Sequence, residues 1–153
     1  MISVEVFSEE KAWSKKLRKK ELFFKEICKL FPRKYRFPTK KITFTLLLSN
    51  NKCIKKLNKN FRNKNKPTDI LSFPINKKIK ISKQTYIGDI IISYDFIDKP
   101  KSQKIINFKE KLVKIFIHGF LHLLGFNHIK NMDYQKMLNE EKRIYQSVIS
   151  KLN

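Results

Sequence analysis

Acidic side chains are scarce in this sequence, 13 against 35 Lys and Arg, and so are cysteine, glycine and histidine, with two, three and three. Two cysteines, Cys28 and Cys53, exclude a disulfide-dense secreted scaffold. Without C-x-x-C spacing they read as buried thiols rather than a metal site. Three glycines and five prolines leave no Gly/Ser- or Pro-rich linker, and nothing repeats at a fixed period. Residues 1–153 are therefore expected to form one domain. There is also no long hydrophobic run. The most apolar stretch, Ile115 to Phe126, is too short to span a bilayer and carries two histidines. The N-terminal MISVEVFSEEKAWSKK lacks the basic start, apolar stretch and small-residue cleavage site of a signal peptide. A cytoplasmic protein without membrane association is the expectation.

The shortage of acids leaves a net charge of +22, a field that attracts RNA, DNA or acidic membrane surfaces. Lys greatly outnumbers Arg, however, and the chain is rich in Lys, Ile, Asn and Phe, the residues of A/T-rich codons. A biased genome raises Lys without any selected partner, and charge alone does not separate the two origins. Apolar residues, at 41%, exclude a disordered tail and suffice for a core.

The patterning gives an element order. Ile2 to Phe7 alternates as a strand. Ser8, Glu9 and Glu10 start a helix predicted to run to about Leu30, with Trp13, Leu17, Leu22, Phe23 and Ile27 near one face, stopped by Phe31-Pro32. Lys41 to Ser49 is a β-branched and apolar strand, and Asn50 to Phe61 a helix with Ile54, Leu57 and Phe61 at helical spacing. Asp69 to Ile75 and Tyr86 to Ser93 are strands joined by a lysine-rich loop. Residues from about Phe108 to Leu124 form an apolar helix ended by Gly125, and Asp133 to Leu152 a final helix. The order β-α-β-α-β-β-α-α implies an α+β fold: one mixed sheet of about four strands packed with helices, the metal-binding helix followed by a turn.

The chemistry concentrates in IHGFLHLLGFNH, which holds all three histidines. His118 and His122 lie one helical turn apart on one face. Gly125 breaks the helix, and the turn lets His128 swing back toward the same point. Three imidazoles so placed form a tripod for one transition-metal ion, expected to be one zinc per chain, with a fourth position left open as in catalytic sites. A lone histidine in an apolar run is usually a packed core residue, but H-x3-H-x2-G-x2-H is hard to explain by packing. The spacing equals that of the metzincin pattern H-E-x-x-H-x-x-G-x-x-H. Gly119 stands where those peptidases carry their general base, so peptide hydrolysis by that route is not expected.

H-G-F-L-H-L-L-G-F-N-H resembles the signature of the bacterial endoribonuclease family YbeY, close to H-G-x-L-H-L-x-G-Y-D-H. Leu57-Asn58, Phe61-Arg62 and Pro67-Thr68-Asp69-Ile70-Leu71-Ser72-Phe73-Pro74 resemble the family's N-x-x-[YF]-R-x-x-x-x-P-T-D-V-L-S-F-P block, and Gly88-Asp89-Ile90 matches its G-D-I. These pieces span about a third of the chain in the family's order. Asn127 replaces the family's Asp, removing a charge but keeping an acceptor, and Phe126 replaces a Tyr.

The resemblance implies a zinc-dependent endoribonuclease that prefers single strands. It would act in 3′-end maturation of small-subunit ribosomal RNA and in ribosome quality control. Its partners would be precursor ribosomal RNA and the small ribosomal subunit, with no organic cofactor. His118, His122 and His128 carry over as metal ligands, with His122 and Arg62 as catalytic residues. The role for Arg62 is to stabilise phosphoryl charge through its guanidinium. Zinc lowers the pKa of bound water to roughly 7. Lys59, Lys64 and Lys66 are candidates for tracking the phosphate backbone, although any one lysine reads first as a solvated charge. Asp69 and Asp89 read as turn or cap residues before second-shell ones. Phe61, Phe73 and Phe126 can stack bases but read first as core. Two other functions compete: a non-catalytic RNA- or ribosome-binding assembly factor with structural zinc, and a divergent metallohydrolase. A fourth protein ligand favours the first, and a carboxylate from another strand beside the metal the second.

Overall fold

The computed structural model describes residues 1–152. Strand β1 (Ile2–Ser8) alternates as its sequence demands. Ile2, Val4 and Val6 turn toward the core, and Ser3, Glu5 and Phe7 turn out.

The helix expected to run to Leu30 is instead two, α1 (Trp13–Lys16) and α2 (Lys20–Lys29), with Leu17 extended between them. Lys15, Lys16, Arg18, Lys19 and Lys20 would stack like charges at i,i+3 and i,i+4 in one continuous helix. Trp13 meanwhile is anchored, its indole N–H donating to the Ser49 carbonyl at 2.9 Å. Leu22 is 47% exposed, and Phe24, Ile27 and Cys28 take the buried face. At 100° per residue Leu22 points opposite to Trp13, so its place on the inner face is corrected. A short α3 (Arg33–Arg36) follows Pro32.

Strand β2 (Lys41–Ser49) has the bounds read from its β-branched run, and it buries Ile42, Phe44, Leu46 and Leu48. Asn50 then caps α4 (Asn51–Arg62), its Oδ1 accepting from the Cys53 N–H at 2.9 Å. Strands β3 (Ile70–Pro74) and β4 (Gln84–Ser93) follow, then α5 (Tyr94–Ile97), α6 (Ile105–Leu123) and α7 (Asn131–Ile149).

The sheet order is β1-β2-β4-β3, with β1, β2 and β4 parallel and β3 antiparallel at one edge. This is the mixed four-strand α+β sheet that the element order implied. Helices α1, α2, α6 and α7 cover one face around Phe44, Ile90, Phe116 and Phe120. On the other face α4 sits over a smaller cluster of Ile54, Leu71 and Ile91. Opposite Phe44, β4 bulges to accommodate both Ile87 and Gly88. Gly88 has φ +138°, and a Cβ there would stand 2.2 Å from the Phe73 carbonyl oxygen, so glycine is required.

Candidate metal centre

Helix α6 buries its apolar residues between the sheet and α7, most completely over its C-terminal half, where it delivers two histidines. Leu124 caps it. Gly125, at φ +95°, then lets the Gly125 N–H reach the His122 carbonyl at 3.0 Å and the Phe126 N–H reach the Leu121 carbonyl at 3.1 Å. That pair of bonds is a Schellman turn, which requires the left-handed conformation glycine adopts freely. Asn127 extends it, its Oδ1 accepting from the Ile129 N–H at 3.3 Å. The turn carries His128 back over the helix end. Ring centroids lie 4.5 Å apart for His118–His122, 5.1 Å for His122–His128 and 5.6 Å for His118–His128.

One ligand atom from each of the three histidines lies within 4.8 Å of the others. Two rings are oriented from behind. His118 Nδ1 meets Glu141 Oε1 of α7 at 2.5 Å, and His122 Nδ1 meets the Phe126 carbonyl at 2.9 Å. Each acceptor fixes the proton on Nδ1 and leaves the Nε2 lone pair facing inward. The two Nε2 atoms are 3.0 Å apart. In that tautomer the two lone pairs face one another, an arrangement that a cation between them would satisfy. Burial, and then the neighbouring His118, push the His122 pKa down to about 4, so His122 is neutral near pH 7. Neutral imidazole is the form that binds metal. The donor set thus fits a borderline transition-metal ion such as zinc. Among the described residues, no fourth His, Cys, Asp or Glu joins the cluster.

Gly119 packs against the sheet. A Cβ there would stand 2.6 Å from Ile70 Cδ1 and 3.1 Å from Ser72 Oγ, and the Ser72 hydroxyl donates to the Gly119 carbonyl at 3.3 Å. The glycine that replaces a peptidase base is therefore also the point where α6 meets β3 and β4.

Arg62 is the last residue of α4 and is exposed. It is near enough for its charge to help depress the pKa of His122, as the smallest of the contributions to that shift. Lys59, Lys64 and Lys66 are exposed on the end of α4 and the loop after it, with no side-chain bond to the histidines. That loop is tied down by the Asn58 side-chain amide, which donates to the Lys66 carbonyl at 2.8 Å. Asp69 accepts from the Ile70 N–H at 2.8 Å, and Asp89 accepts from the Tyr86 hydroxyl, so neither supports a histidine. Phe126 is half-buried against the core and Phe73 half-buried beside the α4 cluster, but Phe61 is 68% exposed and its expected core role is corrected. The Lys77 carbonyl lies 3.4 Å from the position a Cβ on Gly125 would take, so the lysine-rich loop flanks the metal turn.

Glu141 escaped sequence reasoning. It lies 23 residues beyond His118 on a different helix, and no spacing rule connects them. Its only signal was scarcity, one of 13 acids in a strongly basic chain.

A family model described as Endoribonuclease YbeY matches residues 5–149. An Endoribonuclease YbeY from Pelagibacter ubique is 59% identical over 152 residues, 99% of each chain. Another from Ehrlichia canis is 33% identical over 144 residues, covering 94% of this chain and 90% of its own. The solution structure of TM1509 from Thermotoga maritima superposes with a TM-score of 0.58 at 25% identity, covering 99% of this chain and 91% of that one.

Proposed function

The chain belongs to the YbeY endoribonuclease family, and from that premise we propose that it is a metal-dependent endoribonuclease acting on single-stranded RNA. Its substrate is precursor small-subunit ribosomal RNA, matured at the 3′ end, and it serves in ribosome quality control. It works in the cytoplasm as one catalytic unit spanning residues 1–153. No helix among the described residues is long and apolar enough to cross a membrane.

The observation that carries this reading is the histidine tripod with two Nε2 atoms 3.0 Å apart and, among the described residues, no fourth protein ligand. A structural zinc site would close its coordination with a fourth side chain, so a purely architectural role fits less well. A peptidase role fails at Gly119, where β3 leaves no room for a carboxylate.

His118, His122 and His128 hold one zinc ion. When bound, the ion supplies Lewis acidity toward water and toward a phosphoryl oxygen. The protein does the rest. Glu141 and the Phe126 carbonyl keep two rings in the tautomer that points Nε2 inward. Burial keeps His122 neutral, so it donates a lone pair without first losing a proton. Arg62 donates paired N–H bonds to the non-bridging phosphate oxygens as charge gathers on them. Lys59, Lys64 and Lys66 attract the flanking phosphates without reading sequence.

The test is cleavage of single-stranded precursor ribosomal RNA by zinc-loaded protein, with His122→Ala and Arg62→Ala in parallel. Wild-type cleavage is expected, with loss in His122→Ala and a fall of roughly 100-fold or more in Arg62→Ala, which keeps its metal. Equal cleavage by wild type and His122→Ala would indicate a contaminating nuclease and overturn the proposal. Zinc and RNA binding without cleavage would instead support the assembly factor.

A further inference from the structure

Phe61 is the anomaly of the α4 surface. The helical spacing that buries Ile54 and half-buries Leu57 ends on a phenylalanine left 68% exposed. The ring is nevertheless held. Phe73 on β3 meets it edge-on, centroids 5.3 Å apart and planes at 63°, and Phe73 is itself anchored beside Leu71 and Ile54. Such a pair fixes one ring while leaving most of it open to solvent.

The pair lies on the α4 face of β3, and its chain neighbours Arg62 and Ser72 link it to the metal centre on the other side. Phe61 precedes Arg62, whose charge reaches His122. Phe73 follows Ser72, whose hydroxyl bonds the carbonyl of Gly119, the neighbour of His118. β3 is the edge strand, with the α6 face carrying Ile70 and Ser72 and the α4 face carrying Leu71 and Phe73. A strand of RNA that left the histidines over the free edge of β3 would meet the face that carries Phe61. Cations frame the ring there: Lys59 and Arg62 on the helix, Lys64 and Lys66 in the loop, all exposed. An open aromatic face among solvated cations is the composition that binds single-stranded nucleic acid, because every base has a face to stack and every nucleotide a phosphate to pair.

We infer that Phe61, braced by Phe73, is a base-stacking platform that receives an unpaired nucleobase next to the phosphate bound at the metal centre. The inference rests on the ribonuclease reading for its ligand. What it adds is the residue that would receive the unpaired base, without selection among bases. A paired base in a duplex presents no free face and is excluded.

The test measures binding, not cleavage. Fluorescence anisotropy of a labelled single-stranded oligoribonucleotide is followed with the full chain, chelator present to prevent cutting. A matched oligomer of the same length with abasic riboses keeps the phosphates and removes the bases. Phe61→Ala is expected to weaken the intact oligomer roughly ten- to hundredfold and to bind the abasic one as wild type does. Phe61→Tyr retains a stacking face and is expected to retain affinity. The salt dependence is expected to be unchanged in Phe61→Ala but shallower in Lys59→Ala, since only the lysine releases counterions. An equal loss on both oligomers, or none on either, would overturn the platform. So would a wild-type dimer that Phe61→Ala converts to monomer without changing RNA affinity, because the ring would then serve a second copy. RNA binding with this pattern, alongside no cleavage by the zinc-loaded protein without chelator, would leave the platform standing and remove the nuclease reading. No RNA binding by wild type would remove both.

Discussion

Gly119 and Ile70 touch in a way that only a missing side chain permits: a Cβ on Gly119 would lie 2.6 Å from Ile70 Cδ1. A glycine inside a 19-residue helix sacrifices about 1 kcal/mol of helix propensity relative to alanine, and here the sacrifice brings α6 down onto β3. In Gly119→Ala, the propensity gain offsets much of the displacement of a mobile Ile70 terminus, so this variant should fold. Gly119→Glu would bury a carboxylate among Ile70 and Ile90 and should lose about 3 kcal/mol or more. Thermal denaturation of the two variants checks this, and a Gly119→Glu protein melting with wild type would refute it.

Glu141 should matter to metal binding without touching the metal. Glu141→Ala removes the acceptor that fixes His118 and should weaken zinc roughly 10- to 100-fold, while Glu141→Gln, which still accepts a bond, should lose less. Competition against a chromophoric chelator measures both. Equal affinity in all three proteins would mean that packing alone orients His118.

The depressed pKa of His122 predicts a pH dependence. In the unfolded chain this histidine takes up a proton near its ordinary value of 6.5, and in the folded chain only near 4. Between those values the unfolded state binds more protons, so metal-free protein should lose stability as pH falls through that window, with no contribution from this group above it. Denaturant midpoints measured from pH 7 to pH 4 should fall less steeply in His122→Gln than in wild type.

Arg62→Lys tests whether charge or geometry serves the phosphate. Lysine keeps the positive field but not the planar fork, so cleavage should lie between wild type and Arg62→Ala, nearer to Ala. Full activity in Arg62→Lys would reduce the residue to a point charge.

Asn127→Asp restores the carboxylate of the motif. The turn needs only an oxygen acceptor for the Ile129 N–H, so stability should change by no more than about 0.5 kcal/mol. Any gain in zinc affinity would then be electrostatic, and it should shrink as salt rises.

The parts of the molecule legible in the sequence were those fixed by neighbours in the chain. Strand β2 matched from Lys41 to Ser49 because its β-branched and apolar residues continue with no turn residue among them, and α4 began one residue after its Asn50 cap. The histidine tripod was legible because one helix turn and one glycine determine it. What escaped depends on contacts between distant segments. The break at Leu17 depends on Trp13 reaching Ser49, and the β1-β2-β4-β3 order on crossovers that no local pattern encodes. Gly119 looked like a missing base before β3 was seen beneath it. Phe61 looked like core because helical spacing reports a face but not where the covering layer ends.

Strand β3 has one further consequence. Its outer edge is unpaired, and an unpaired edge invites another chain to add a strand. Here the invitation is short, five residues closed by Pro74, and it is bracketed by Lys64 and Lys66 on one side and Lys77, Lys78 and Lys80 on the other. A second molecule docking edge to edge would bring two such rows of cations together. Whatever raised the lysine content of this chain, those lysines also guard this edge of the sheet against pairing with another copy.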